Sequence, residues 1–187
     1  ISRRRAWYKE FFGFYPEQIP KAFKMPAGVW DDPVPRVAAG ENYIIYGNVG
    51  SGKSTAIADI CWKLILGMKK VSIRGGAVSK MMHSLKGDGV NDYRKTFEDG
   101  DVLVLDDLDK ILGSQYEVVE LFSLADMFFS RGKTVLVSMN PSPEEFVTQL
   151  KGSKYNVPPV WADSFLSRVT NKADIIQVKS LPDFRGL

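Results

Sequence analysis

From Glu41 onward the chain alternates between two hydrophobic patterns. Short, mostly apolar stretches at 43–46 (YIIY), 71–74 (VSIR), 102–105 (VLVL), 134–138 (TVLVS) and 174–178 (DIIQV) have the length and β-branched content of strands. Between them lie segments with apolar residues at three-to-four spacing. One is 54–66, which carries Ile57, Ile60, Cys61, Leu64 and Ile65 and is closed by Gly67; others are 78–85, 116–130, 144–150 and 160–169. The run at 102–105 has no polar alternation, which marks a strand buried on both faces, as in a parallel sheet covered by helices. Five such strands joined by helices predict an α/β, three-layer domain around a five-stranded parallel sheet.

The first 36 residues do not share this rhythm. Arg3, Arg4 and Arg5 precede Trp7, Tyr8, Phe11, Phe12, Phe14 and Tyr15, and Pro16, Pro20, Pro26, Pro33 and Pro35 exclude a long helix beyond the start. We expect residues 1–36 to be an N-terminal extension wrapping the core and residues 37–187 to be the main domain. Three roles stay open for the arginines and aromatics: a nucleic-acid or partner surface, a solvated basic end beside aromatics packed on the core, or apolar cover for a purine ring. Further on, 86–91 (KGDGVN) reads as a surface loop, 92–97 as a helical turn stopped at Gly100, and 151–159 as a polar loop.

Composition narrows the picture modestly. With 187 residues, 44% of them hydrophobic, the chain suffices for one well-cored domain with a short extension. Its 25 basic and 22 acidic residues permit nucleic-acid contact without demanding it. The lone cysteine, Cys61, excludes an internal disulfide and reads as a small buried hydrophobe. His83, the lone histidine, reads as a surface or packing residue, because no cluster of metal ligands surrounds it. With no run of about eighteen apolar residues, we expect a cytoplasmic protein with no membrane partner.

Candidate chemistry is concentrated at the strand ends. Strand 43–46 runs into GNVGSGKST, made of Gly47, Asn48, Val49, Gly50, Ser51, Gly52, Lys53, Ser54 and Thr55, and a helix pattern follows. A strand, a glycine-rich turn and Gly-Lys-Ser opening a helix form a phosphate cradle. The glycines let successive N–H groups turn inward on an anion. Lys53 brings a charge for the β- and γ-phosphates, Ser54 a hydroxyl for Mg²⁺, and the helix start its positive dipole end. At the end of the strand 102–105 stand Asp106, Asp107, Leu108 and Asp109. Ligands in parallel sheets bind at that edge, so Asp106 is the candidate for the Mg²⁺ shell and Asp107 for polarising an attacking water. Asn140, after strand 134–138, lies at the same edge, where it either positions water or touches the γ-phosphate, or serves only as a turn residue before Pro141.

Taken in order, GNVGSGKST, VLVLDDLD, TVLVSMN and FLSRV resemble the AAA+ ATPases, and among them the DnaC and IstB group of helicase loaders and transposition helpers. The likeness runs from about Ile19 to the end. It includes IP-x-x-F at 19–23, an LF-x-x-x-D-x-x-x-x-R stretch at 121–131, and no helical lid after Val178, where an origin initiator of the DnaA kind is expected to continue. The resemblance implies that Gly47, Gly50, Gly52, Lys53 and Ser54 form Walker A and that Asp106 and Asp107 form Walker B. It further implies that Asn140 is sensor 1 and that Arg168 is an arginine finger acting on a neighbouring subunit's ATP. Two departures stand out. Many relatives have Glu where Asp107 stands, and Ser138-Met139-Asn140 carries one residue more than the usual Ser/Thr-Asn. Arg185, in the terminal D-F-R, is a weaker nucleotide candidate.

The function the resemblance implies is that of a Mg²⁺-dependent ATPase in DNA replication. Such a helicase loader binds ATP, single-stranded DNA and a replicative helicase, and forms a homo-oligomer with the ATP site at the subunit interface, where assembly or DNA stimulates hydrolysis. Its DNA contacts are expected between 78 and 94, where Lys80, Lys86, Arg94 and neighbouring Lys95 are available for phosphates. The alternatives are an IstB-like transposition helper on duplex DNA and a nucleotide-gated scaffold with little hydrolysis.

Overall fold

The computed structural model describes residues 6, 9, 32–67, 71–84, 95–110, 115–152 and 157–178. The expectations for most of 1–31, for the loop 86–91, for Lys86 and Arg94, for Arg185 and for everything after Val178 lie outside them. The elements run α1 (Val34–Ala38), β1 (Asn42–Gly47), α2 (Lys53–Gly67), β2 (Ile73–Ala77), α3 (Val78–Ser84), β3 (Val102–Asp106) and a 3₁₀ turn (Leu108–Lys110). Then follow α4 (Gln115–Ser130), β4 (Thr134–Met139), α5 (Pro143–Lys151), α6 (Pro159–Thr170) and β5 (Ala173–Val178).

All pairings are parallel, in the order β2-β3-β4-β1-β5, with Tyr46 opposite Met139, Leu105 opposite Val137 and Gly47 opposite Val178. The C-terminal ends of the strands therefore lie along one edge. Strand alternation divides the core in two. Leu103, Leu105, Val135, Val137 and Met139 face α3, α4, α5 and α6, while Val102, Val104, Leu136 and Ile176 face α1 and α2. Because β3 and β4 are covered on both sides, their sequences show no polar alternation. The predicted three-layer α/β architecture with a five-stranded parallel sheet is thus the one observed.

One strand is placed differently from its sequence reading. The expectation for 71–74 rests on Val71 and Ile73, but β2 spans Ile73–Ala77 and passes through Gly75 and Gly76. Paired glycines ordinarily weaken a strand pattern; here they are needed for close approach. Gly75 has φ +98°, and a methyl group added there would sit 2.1 Å from the Val104 carbonyl oxygen of the neighbouring strand. On the other side of the site, α5 begins with a capping box: the Glu145 N–H donates to Ser142 Oγ (3.2 Å) and the Ser142 N–H to Glu145 Oε2 (2.8 Å). This anchors the chain where it leaves the end of β4.

Gly75→Ala is expected to cost roughly 2 kcal/mol of strain and so lower Tm by about 4–8 °C at this chain length. Gly67→Ala, whose added methyl meets nothing within 4 Å, is expected to leave Tm unchanged or raise it. Thermal unfolding followed by circular dichroism checks both.

Candidate functional site

Residues from three strand ends meet at the C-terminal edge of the sheet. The first is the turn between β1 and α2. Gly47 has φ +144°, and a methyl group there would lie 2.2 Å from the Val178 carbonyl oxygen, so only glycine lets the chain leave β1 at this angle beside β5. Gly50 and Gly52 also adopt positive φ. The turn exposes Val49, buries Ser51 and delivers Lys53 as the first residue of α2, with Ser54 and Thr55 in its first turn.

Lys53 is only 5% exposed. Its Nζ donates to Asn48 O (2.7 Å), Gly47 O (2.9 Å) and Asn140 Oδ1 (3.1 Å), which together satisfy the three donors of an ammonium. Burial pulls its pKa below the usual lysine range, and the carboxylates of Asp107, Asp109 and Asp106 oppose that shift.

The second contribution comes from the end of β3. Burial pushes the Asp106 carboxyl above the usual range, opposed by hydrogen bonds from the Ser138 and Ser54 hydroxyls. After it the chain turns sharply. Asp107 takes a left-handed φ of +56°, rare for a residue with a Cβ, and its N–H donates to Ser138 Oγ at 2.9 Å. Among the described residues no hydrogen bond engages the Asp107 carboxylate. Leu108 is then sunk in the core and the 3₁₀ turn brings Asp109 to Asn140. The Asn140 N–H donates to Asp109 Oδ1 (3.1 Å) and its Nδ2 to Asp109 Oδ2 (2.6 Å).

The third contribution is the end of β4. Ser138 and Asn140, two residues apart, turn toward the site, while Met139 between them is buried in the core. The extra residue in Ser-Met-Asn therefore keeps both polar side chains on the site's side. Ser138 and Asp109 have contacts at the site that the sequence reading did not assign. Ser138 does carry a signal, as a hydroxyl that follows the apolar run 135–137 and is spaced two residues before Asn140. Asp109 has only its place in the DDLD run.

The structure thus brings together Lys53, Ser54, Asp106, Asp107 and Asn140. It does not bring Arg168 to them. Arg168 lies near the end of α6, just before β5, and lines a cavity of about 410 Å³ with Asn42, Lys133, Asn171 and Lys172, which sit where strands begin. Its Nε pairs with Asp126 (2.9 Å) and its Nη1 donates to Ser164 (2.8 Å). Cys61 is fully buried and its thiol is pushed up by burial, as its place in an apolar helix predicted.

An ion held by Ser54 and Asp106 fits what is present. The Ser54 hydroxyl already acts on the Asp106 carboxyl, opposing the rise in its pKa, and Mg²⁺ in phosphate sites needs only one or two protein oxygens besides the phosphates and water. Among the described residues there is no cluster of three or more metal-ligating side chains, so the phosphates would have to complete such a shell. Again among the described residues, no helix is long and apolar enough to cross a membrane.

The raised Asp106 pKa has a signed consequence. The folded chain binds this proton more tightly than the unfolded chain does, so stability falls as pH rises from about 3.9 through the raised native value. Above that value the whole penalty of the buried charge is present. Asp106→Asn removes the charge and keeps an oxygen for Ser138. Without nucleotide or Mg²⁺ it is expected to raise Tm by a few degrees at about pH 8, the gain shrinking as pH is lowered toward about 4. Thermal unfolding across pH checks this.

Comparisons with known proteins bear on the fold and the family. The chromosomal replication initiator protein DnaA of Kosmotoga olearia is 30% identical over 108 residues, covering 55% of this chain and 24% of that protein. The DnaA of Buchnera aphidicola is 25% identical over 104 residues, covering 54% and 24%. The chain thus spans about a quarter of the length of these curated relatives. Among solved structures, DnaI superposes with a TM-score of 0.67 at 20% identity over 89% of this chain and 95% of that one. AMPPCP-bound DnaA from Aquifex aeolicus gives 0.61 at 17% identity over 79% and 43%. The DnaC helicase loader gives 0.59 at 19% over 79% and 84%. The AAA+ fold expected from the resemblance is the fold that loaders and initiators share. Residues 34–154, well over half the chain, match the bacterial DnaA ATPase domain, and the chain belongs to that family.

Proposed function

We propose that this chain is an ATP-binding and ATP-hydrolysing AAA+ core that works in DNA replication as a helicase loader, binding single-stranded DNA and a replicative helicase. The observation that carries the ATPase part is the convergence on Lys53. A buried ammonium at the start of α2 faces Asn140 and the Asp106–Asp107 turn across one sheet edge. In this reading the N–H groups of 47–55 cradle the phosphates and Lys53 neutralises the β- and γ-phosphates. Ser54 and Asp106 hold Mg²⁺, which supplies charge neutralisation on the phosphates when bound. Asp107 receives the attacking water's proton or orients that water, and Asn140 presents its amide to the water or the γ-phosphate.

The loader part is supported by the fold. DnaI is matched along 95% of its chain, and the DnaC helicase loader along 84%. Single-stranded DNA as a ligand is supported by the likeness, at a TM-score of 0.60, to a structure of DnaA bound to AMPPCP and single-stranded DNA. Lys80, on α3, and Lys95 are exposed and are candidate phosphate contacts. Arg168, at the opposite edge from Lys53, acts on the ATP of an adjoining copy, so that hydrolysis depends on homo-oligomer assembly.

ATP turnover is to be measured alone, with single-stranded DNA, with duplex DNA and with a replicative helicase. Stimulation by single strands and helicase is the expected result. Preference for duplex with filament formation favours the transposition helper, and ATP-dependent partner binding without turnover favours the scaffold. Lys53→Ala is expected to weaken nucleotide binding about ten- to a hundredfold. Arg168→Ala is expected to keep binding and lose the stimulated turnover; normal stimulated hydrolysis by that variant removes the assignment of Arg168.

A further inference from the structure

Asp109 makes the most specific side-chain contact at the site that the nucleotide chemistry does not itself require. Both carboxylate oxygens engage Asn140: Oδ1 accepts from the Asn140 backbone N–H and Oδ2 from the Asn140 side-chain Nδ2 at 2.6 Å, while the neighbouring Lys110 ammonium lies farther from Oδ2, at 3.5 Å, on a half-exposed side chain. On its other end, the Asn140 amide accepts from Lys53 Nζ at 3.1 Å. The chemistry of the two neighbours decides the orientation of the amide. An ammonium offers only donors and a carboxylate only acceptors. An amide with oxygen toward Lys53 and nitrogen toward Asp109 satisfies both partners, and the flipped amide satisfies neither. The Asp109 side chain is only 11% exposed, so water competes weakly for these bonds.

The backbone around Asp109 is built to hold it there. Asp107 is left-handed and tied by its N–H to Ser138, its carbonyl accepts from the Lys110 N–H at 2.9 Å, and Leu108 is fully buried. With both flanks fixed, the Asp109 carboxylate has little freedom to leave Asn140.

We infer that Asp109 is the positioning residue of the Asn140 amide, fixing which end of that amide faces the P-loop lysine and the phosphate edge. This rests on the ATPase reading of the same site. Asp109 touches no substrate in this role; it acts through Asn140.

The test compares Asp109→Ala, Asp109→Asn, Asn140→Ala and the double variant Asp109→Ala/Asn140→Ala. Three readouts are nucleotide affinity from a fluorescent ATP analogue, turnover at saturating ATP with Mg²⁺ and single-stranded DNA, and the Asn140 side-chain amide signal by NMR. Asp109→Ala is expected to leave affinity within about threefold while lowering kcat about tenfold, the pattern of a lost transition-state contact. The isosteric Asp109→Asn, which keeps one acceptor for the Asn140 N–H, falls between it and the unsubstituted chain. The double variant is no slower than Asn140→Ala alone, because the two residues act as one unit. In the unsubstituted chain one Asn140 Nδ2 hydrogen is protected from exchange, and Asp109→Ala abolishes that protection while the amides of β1 and β3 stay protected. Unchanged kcat in Asp109→Ala, multiplicative losses in the double variant, or an Asn140 side-chain signal indifferent to Asp109 overturns the inference. Should the unsubstituted chain neither bind nor hydrolyse ATP, the ATPase reading fails, and the Asn140 signal still decides by itself whether Asp109 positions the amide.

Discussion

A buried ammonium is the constraint that the site is arranged around. Removing a lysine from water is costly unless acceptors and opposite charge surround it. For Lys53 the acceptors come from the end of β1, through Gly47 and Asn48, and from beyond the end of β4, through Asn140. The opposing charges come from the end of β3, through Asp106, and from the turn after it, through Asp107 and Asp109. These groups converge because β3, β4 and β1 are adjacent, parallel and in register at their C-terminal ends. A different strand order would leave Lys53 buried without its carboxylates, so the topology and the charge of the site are one requirement.

The same arrangement holds several groups away from their intrinsic preferences. Asp106 is pushed up by burial, Lys53 pulled down by it, and Asp107 is left-handed without being glycine. Such departures collect at functional sites, and the surrounding structure must outweigh them. Here it does so through apolar packing immediately behind the edge. Leu105, Val137 and Met139, which precede the polar residues on their strands, are buried with Leu108 in one cluster under α4, α5 and α6. That layer is closed by Phe165 stacked on Phe122 at 4.2 Å. The polar atoms can therefore be pre-positioned at the expense of local stability without loosening the sheet.

The sheet and most of the site were legible in the sequence because their signals are local. GNVGSGKST encodes its turn in its own glycines, and VLVL encodes burial by having no polar alternation. Two things were not legible. In the sequence Gly75 and Gly76 look like a strand end, whereas β2 runs through them to Ala77. The reason they belong in the strand, a carbonyl 2.1 Å from where a side chain would begin, lies on another strand. The contacts of Asp109 and Ser138 are hidden in the sequence for a related reason. Asp109 reaches Asn140 only because Asp107 reverses the backbone, and Ser138 meets Asp106 and Asp107 only through the β3–β4 neighbour relation. Residue type and spacing identify which groups have suitable chemistry, whereas pairing between distant segments decides which of them touch.

Arg168 shows how far such reasoning reaches beyond one chain. It precedes β5, whose first residue pairs with Asn42 at the start of β1, whereas Lys53 follows the far end of that strand. Roughly 16 Å of strand separates the two edges, so Arg168 cannot serve the ATP site of its own chain while α6 and β5 keep their places. If it serves an ATP site, that site belongs to another copy. The contact then joins two different faces and is heterologous, which builds a ring or a helical filament rather than a two-fold dimer. Its pairing with Asp126 does not oppose this. Both side chains are 48% exposed, and an ion pair at such a surface is worth about 1 kcal/mol or less. Asp126 can hold the guanidinium in a preferred direction, yet a phosphate-bearing neighbour offers enough charge to draw it away.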